Sequence, residues 1–125
     1  MNIKTLENLL IQSWIRETSS EPKDWTEERP SIGQCAVTAL IVNDFFGGKI
    51  IRVPIISGSK MTSHYYNQLP DGETIDLTKN QFGSKVEFGL PTYQTRDHVL
   101  SNPGTKRRYL DLSTILLLNK ANQNL

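Results

Sequence analysis

The only cysteine of this 125-residue chain, Cys35, heads the run Ala36 to Val42, which is mostly apolar and predicts a buried helix. A cysteine at the start of a helix sits beside free amide hydrogens and the positive end of the macrodipole, which favours the thiolate, the nucleophilic form of sulfur. His64 follows in one stretch of strand character and Asp76 in the next. Thiol-based acyl chemistry needs these three roles: a sulfur that attacks, an imidazole that takes and returns a proton, and a carboxylate that orients the ring and stabilises its cation. Each residue also has a plainer reading. A lone cysteine is commonly a small buried hydrophobe, a strand histidine needs only one satisfied hydrogen bond, and Asp76 can cap the turn at Thr78.

Whether His64 and Asp76 meet depends on the turn between their strands, because side chains alternate faces. Thr62 to Leu69 and Glu73 to Leu77 flank Pro70-Asp71-Gly72. A proline-led type I turn followed by a left-handed glycine makes a three-residue loop. That loop pairs Leu69 with Glu73 and Tyr66 with Asp76. His64 then lies diagonal to Asp76 on one face, about 7 Å away between strands and within reach of two side chains. A two-residue Asp-Gly loop would pair Asn67 with Asp76 and turn His64 to the other face.

The elements that must hold these residues read as follows. From Asn2 to Arg16, Ile3, Leu6, Leu9, Leu10 and Trp14 recur at three and four, the spacing of a helix packed by one face. Thr18 to Gly33 is a polar loop long enough to act as a lid, and within it Trp25 either anchors the loop or contacts substrate. The Cys35 helix should span Gln34 to Phe46, capped by Ser31 or Gly33 and stopped by Gly47-Gly48. Lys49 to Ser57 is a strand that Pro54 pushes toward a sheet edge or a bulge. Past Thr78 the chain is irregular, punctuated by Gly83, Gly89 and Pro91. A short helix over Thr95 to Leu100 is then closed by Asn102-Pro103-Gly104. A last helix covers Thr105 to Ala121, its leucines almost encircling the axis as core scaffold. The expected fold is a single α+β domain over residues 1–125, with a short antiparallel sheet packed on the Cys35 helix and terminal helices covering the remaining apolar surface.

Composition narrows the classes. Fourteen basic and thirteen acidic residues give a net charge of +1 with no concentrated patch, which argues against nucleic-acid and membrane partners. One cysteine and two histidines exclude an internal disulfide and a Cys/His zinc cluster, so neither metal nor cofactor is expected. The N-terminus lacks a signal-peptide pattern and Leu110 to Leu118 is too short to span a bilayer, so the cytoplasm is the expected compartment. His98 and Asp97 read as a solvated helix face, and Lys106-Arg107-Arg108 as solvated charge. Tyr65 and Tyr66 point to opposite faces, with Tyr66 flanking the His64 side.

The segments Gly33-Gln34-Cys35-Ala36-Val37-Thr38-Ala39-Leu40, Asp44-Phe45-Phe46-Gly47-Gly48, Ser63-His64-Tyr65-Tyr66-Asn67, Pro70-Asp71-Gly72 and Ile75-Asp76-Leu77-Thr78 resemble the YunG-like family of small bacterial proteins. Trp14, Trp25 and Pro30 also suit that family, which implies no substrate. More distantly, a helix-opening cysteine followed by histidine and aspartate on adjacent strands resembles the papain-like superfamily, in particular its transglutaminase-like branch. That resemblance implies Cys35 as nucleophile, His64 as base and Asp76 as orienting acid. Papain-type peptidases carry an oxyanion glutamine several residues before the cysteine, whereas Gln34 is adjacent to it, so the Cys35 amide leads as oxyanion donor with Gln34 second. The expected function is a cysteine-dependent hydrolase or acyl transferase acting on a small-molecule or peptide substrate. The rival is a non-catalytic binding domain that uses the concave surface beneath the Thr18 to Gly33 loop.

Overall fold

A computed structural model of the chain describes residues 1–79 and 86–123. Gly83, read above as punctuation, lies outside the described residues. Helix α1 (Ile3–Ser13) is capped by Asn2, whose Oδ1 accepts from the Thr5 amide at 2.8 Å. It ends before Arg16 because Trp14 turns extended, and the chain re-tightens into a 3-10 turn at Arg16–Thr18. The indole of Trp14 donates to Thr38 Oγ1 at 2.9 Å, which ties the helix to the next one.

Helix α2 (Cys35–Phe46) is buried without a break from Val37 to Val42. Such a helix must be covered all round. On one side Ala39 and Leu40 pack with Ile50, Val99 and Tyr65; on the other Val37, Ile41 and Val42 pack with Leu6, Leu9 and Leu10 of α1 and with Leu112 and Leu116 of the last helix. The terminal helices therefore cover the far side of α2 from the sheet. Neither Ser31 nor Gly33 caps α2: Gln34 is the cap residue and lends no side-chain hydrogen bond. Gly33 instead serves a crossing. Its φ is 72°, and a Cβ there would lie 2.3 Å from Ser19 Oγ and 2.8 Å from the Glu21 amide.

That crossing pins the segment expected to be a lid. Ser20 N donates to Gly33 O at 2.9 Å, Ser19 Oγ donates to Ile32 O at 2.7 Å, and buried Trp25 donates to Pro30 O at 2.9 Å. The segment is a strap fastened at both ends.

The five-stranded antiparallel sheet is ordered β3-β2-β1-β4, with β5 also pairing β1. Its strands are β1 (Lys49–Ser57), β2 (Lys60–Gln68), β3 (Thr74–Ile75), β4 (Glu87–Phe88) and β5 (Thr92–Gln94). Pro54 does not make β1 an edge. Its missing amide faces the gap between β4, which pairs Ile55 and Ile56, and β5, which pairs Ile50 to Arg52; across that gap Gly89 N donates to Pro54 O at 2.8 Å. The stretch expected to be irregular thus contains two short strands, formed because β1 offers them a template.

Thr95 caps helix α3 (Arg96–Leu100) as its spacing suggests. Asn102-Pro103-Gly104, however, opens helix α4 (Pro103–Gln123) rather than closing α3: Asn102 Oδ1 accepts from Thr105 N at 3.0 Å, and proline fits the first helical position, where no amide bond is lost. Only Leu112 and Leu116 of its leucines are fully buried, while Leu110, Leu117 and Leu118 are exposed, because one stripe of the helix faces α2. Among the described residues no helix is long and apolar enough to cross a membrane.

Gly33→Ala should destabilise the fold by at least about 2 kcal/mol, since strained φ and backbone collision add. Gly58→Ala, with φ 62° and nothing within 4 Å of an added Cβ, should cost about 1 kcal/mol. Urea denaturation of both variants checks the ordering.

Candidate functional site

The loop at Pro70-Asp71-Gly72 sets the register of the site. Leu69 N donates to Glu73 O at 2.8 Å, Gly72 N donates to Leu69 O at 2.9 Å, and Gly72 has φ 92°. Asn67 pairs with Ile75 and Gln68 with Thr74, the register of a three-residue loop. Asp76, one residue past β3, reaches the His64 side: His64 Nε2 and Asp76 Oδ2 are 2.6 Å apart. The other carboxylate oxygen accepts from the amide and hydroxyl of buried Thr78 at 3.2 and 3.4 Å. Asp76 therefore does both jobs considered for it, with one oxygen each.

His64 is 1% exposed, opposite Val53 on β1. Besides the Asp76 bond, its charge is supported from the Cys35 side. Burial pushes the imidazole toward its neutral form, but the hydrogen bond to Asp76 and the support from Cys35 outweigh it, so the pKa rises from 6.5 to about 9. At neutral pH the ring is held as imidazolium, the form that can hand a proton to a leaving group.

Cys35 is the first residue of α2 and partly buried. Its helix is held to the sheet by Asn67, whose Nδ2 donates to Ala39 O at 2.9 Å. Gln34 is fully buried and its carboxamide is occupied: Oε1 accepts from Thr18 Oγ1 at 2.9 Å and Nε2 donates to Ile15 O at 3.0 Å. Its side chain locks the 3-10 turn against the start of α2, so its carboxamide is committed within the fold.

Tyr66 stacks beside His64 with ring centroids 6.1 Å apart and planes 23° apart. Tyr65, on the other face, packs against Ala39, Leu40 and Ile50. A cleft of about 710 Å³ is lined by His64, Tyr66 and Asp76 together with Val53, Phe88 and Pro91. Cys35, Gln34 and Trp25 are not among its lining residues. Trp25 anchors the strap, with the Arg16 guanidinium 5.4 Å from its ring centroid. Asp97 and His98 are exposed on α3.

Arg108 departs from the solvated charge expected of its cluster. It is partly buried, whereas Lys106 and Arg107 are exposed. Burial and neighbouring Arg107 both work against its charge. The spacing carries the signal: Arg108 stands three residues after Thr105 and four before Leu112, on the buried stripe of α4.

The raised pKa of His64 makes a signed prediction. Its stabilising contribution is complete below about pH 6.5 and disappears as pH rises through about 9. Asp76→Asn should therefore cost roughly 1–3 kcal/mol near pH 6 and far less near pH 10, as read by urea denaturation of parent and variant across pH. A gap that stays constant with pH would contradict this account.

A family model described as YunG protein matches residues 2–120. A Bacillus subtilis (strain 168) relative named "Uncharacterized protein YunG" is 42% identical over 80 residues, which cover 64% of this chain and 63% of the relative. The match thus spans less than two thirds of that relative's length. No solved structure matches.

Proposed function

The chain belongs to the YunG family, and we propose that it is a cysteine-dependent acyl-transfer enzyme, a hydrolase or transamidase in which Cys35, His64 and Asp76 act as nucleophile, acid-base and orienting group. The observation that carries this reading is the 2.6 Å bond from a buried imidazole to Asp76, on a ring whose charge Cys35 also supports. A merely structural histidine is satisfied by one partner. Three ionisable groups converging in this order, with the sulfur at a helix start, is the arrangement acyl-thiol chemistry requires.

In the proposed reaction the Cys35 sulfur attacks the carbonyl carbon of an amide or ester. A carbon–sulfur bond forms, and the carbonyl π electrons move to oxygen, where the Cys35 amide can meet the negative charge. Collapse breaks the bond to the leaving nitrogen or oxygen, which takes the proton from imidazolium His64. Water or an amine then attacks the thioester and gives its proton back to His64, and the thiolate departs. Asp76 keeps the ring aligned throughout, and Tyr66 walls it on the cleft side. The papain-like or transglutaminase-like core belongs to this proposal, as do a cytoplasmic location and a peptide or small-molecule substrate.

A second reading, a non-catalytic binding domain, is favoured by one observation: Cys35 does not line the cleft beside His64. In that case His64 and Asp76 would shape a ligand pocket.

Two measurements decide between them. Near pH 6.5 Cys35 should react with iodoacetamide at least about tenfold faster than free cysteine, and His64→Ala should abolish the advantage. With p-nitrophenyl acetate, mass spectrometry should find the acetyl group on Cys35, with lysines labelled far more slowly. Alkylation at the free-cysteine rate, indifferent to His64, would establish the binding domain instead.

A further inference from the structure

We infer that the ligand of this site is an extended, uncharged peptide segment, laid across the His64–Asp76 pair with an aromatic side chain in the cleft beside it. The word substrate would rest on the acyl-transfer reading; the groove that holds the peptide is built without Cys35.

The cleft of about 710 Å³ adjoins a further cavity at each end. One, of about 340 Å³, lies between α1 and the strap against Ile11, Trp14 and Pro30, and it shares Glu7 and Leu77 with the cleft. The other, also of about 340 Å³, lies against Ile51, Thr92 and Tyr93, and it shares Tyr66, Thr74 and Pro91 with the cleft. Thr74 to Leu77 run in chain order along this trough, with Thr74 at the β5 end, Leu77 at the strap end and Asp76 between them. A trough that continues past the central residues at both ends fits a chain, whereas a compact ligand would need only the middle.

Strand register gives the same direction and a scale. Ile51, Val53 and Ile55 of β1 point to one face, because side chains alternate. Tyr66 and Tyr93 pair with Ile51 from either side, His64 with Val53, and Phe88 with Ile55. Tyr93 and Phe88 thus stand four β1 residues apart, about 13 Å, on either side of the row that carries His64. They are 60% and 56% exposed. Exposed aromatic side chains on the rim of a concave site mark a binding surface. Tyr93 is held in that position, since its Oη donates to Gln68 Oε1 at 3.0 Å and the Lys49 ammonium lies 4.3 Å from its ring centroid.

The charges along the trough select an uncharged occupant. Glu7, Glu28 and Asp76 are offset by Arg29, His64 and Lys79, and the cavity at the β5 end is lined by no charged side chain among the described residues. Two of those carboxylates are already paired, Glu7 with Lys4 at 3.3 Å and Asp76 with His64. An alkyl chain would also be uncharged, but it would cover Ser31, Tyr66, Thr74 and Thr92, which recur along the trough, and leave them without partners. A peptide brings an amide donor and acceptor at every residue.

The test is isothermal titration calorimetry on the full chain carrying Cys35→Ala, which cannot form a thioester. The probes are an alanine pentapeptide with phenylalanine at its centre, the all-alanine pentapeptide and a single phenylalanine, each acetylated and amidated, with decanamide as the alkyl chain. The phenylalanine pentapeptide should bind at least about tenfold more tightly than each of the other three. Phe88→Ala should weaken the phenylalanine pentapeptide and the single phenylalanine alike, by about three- to tenfold, whereas Tyr93→Ala should weaken only the pentapeptide. Both side chains are exposed, and circular dichroism confirms that both variants are folded. Leu118→Ala, on the exposed side of α4, should change neither affinity. No pentapeptide binding at millimolar concentration, equal affinity for the pentapeptide and the single residue, or indifference of the pentapeptide to both aromatic variants overturns the inference. Tighter binding of decanamide overturns it in favour of an alkyl-chain site. Alkylation of Cys35 in the parent protein separates this result from the chemistry. Peptide binding beside a thiol that reacts like free cysteine would remove the acyl-transfer reading and leave the groove, and an activated thiol without peptide binding would do the reverse.

Discussion

A buried imidazole held as a cation is the constraint on which the rest of this molecule depends. His64 is withdrawn from water, and a charge in that position is costly unless paired and hydrogen-bonded. Asp76 and Cys35 supply the pairing. Asp76 must therefore arrive at a set distance with a set orientation. The turn at Pro70-Asp71-Gly72 delivers it, and Thr78 holds the carboxylate from its other oxygen. A slip of one residue in that hairpin would leave His64 buried and facing no carboxylate.

The sulfur end of the arrangement is positioned by an equally dense set of contacts. Gln34, one residue before Cys35, spends its carboxamide on Thr18 and Ile15; Thr38, three residues after, receives the Trp14 indole; Asn67 on β2 bonds the Ala39 carbonyl. Helix α2 is thus tied at its first turn to α1, to the strap and to the strand that carries His64. Gly33 belongs to the same assembly: only a residue without a Cβ lets the strap close against Ser19 and Ser20 immediately before the helix begins.

A cleft of about 710 Å³ lies beside His64. Its walls include the apolar side chains of Val53, Phe88 and Pro91, with His64, Tyr66 and Asp76 among the polar ones. Membership of the YunG family carries no chemistry by itself. The functional reading is built on the side chains of this chain and their mutual geometry.

Much of this arrangement is legible in the amino-acid sequence through local rules. The periodicity of Leu6, Leu9 and Leu10, the unbroken apolar run of α2, the glycine stop at Gly47-Gly48 and the loop length at Pro70-Asp71-Gly72 each depend on neighbours along the chain, and the His64–Asp76 register follows from the last of them. Tertiary structure alone decided the rest. Pro54 lies on a central strand because β4 and β5 leave a gap opposite its missing amide. Pro103 begins a helix because Asn102 caps it. Gln34 is a buried strut, Thr18 to Gly33 is a strap, and Arg108 is half-buried while its neighbours Lys106 and Arg107 are exposed. These outcomes depend on which distant segment supplies a hydrogen-bond partner or an apolar surface, and a pattern confined to adjacent residues does not contain that information.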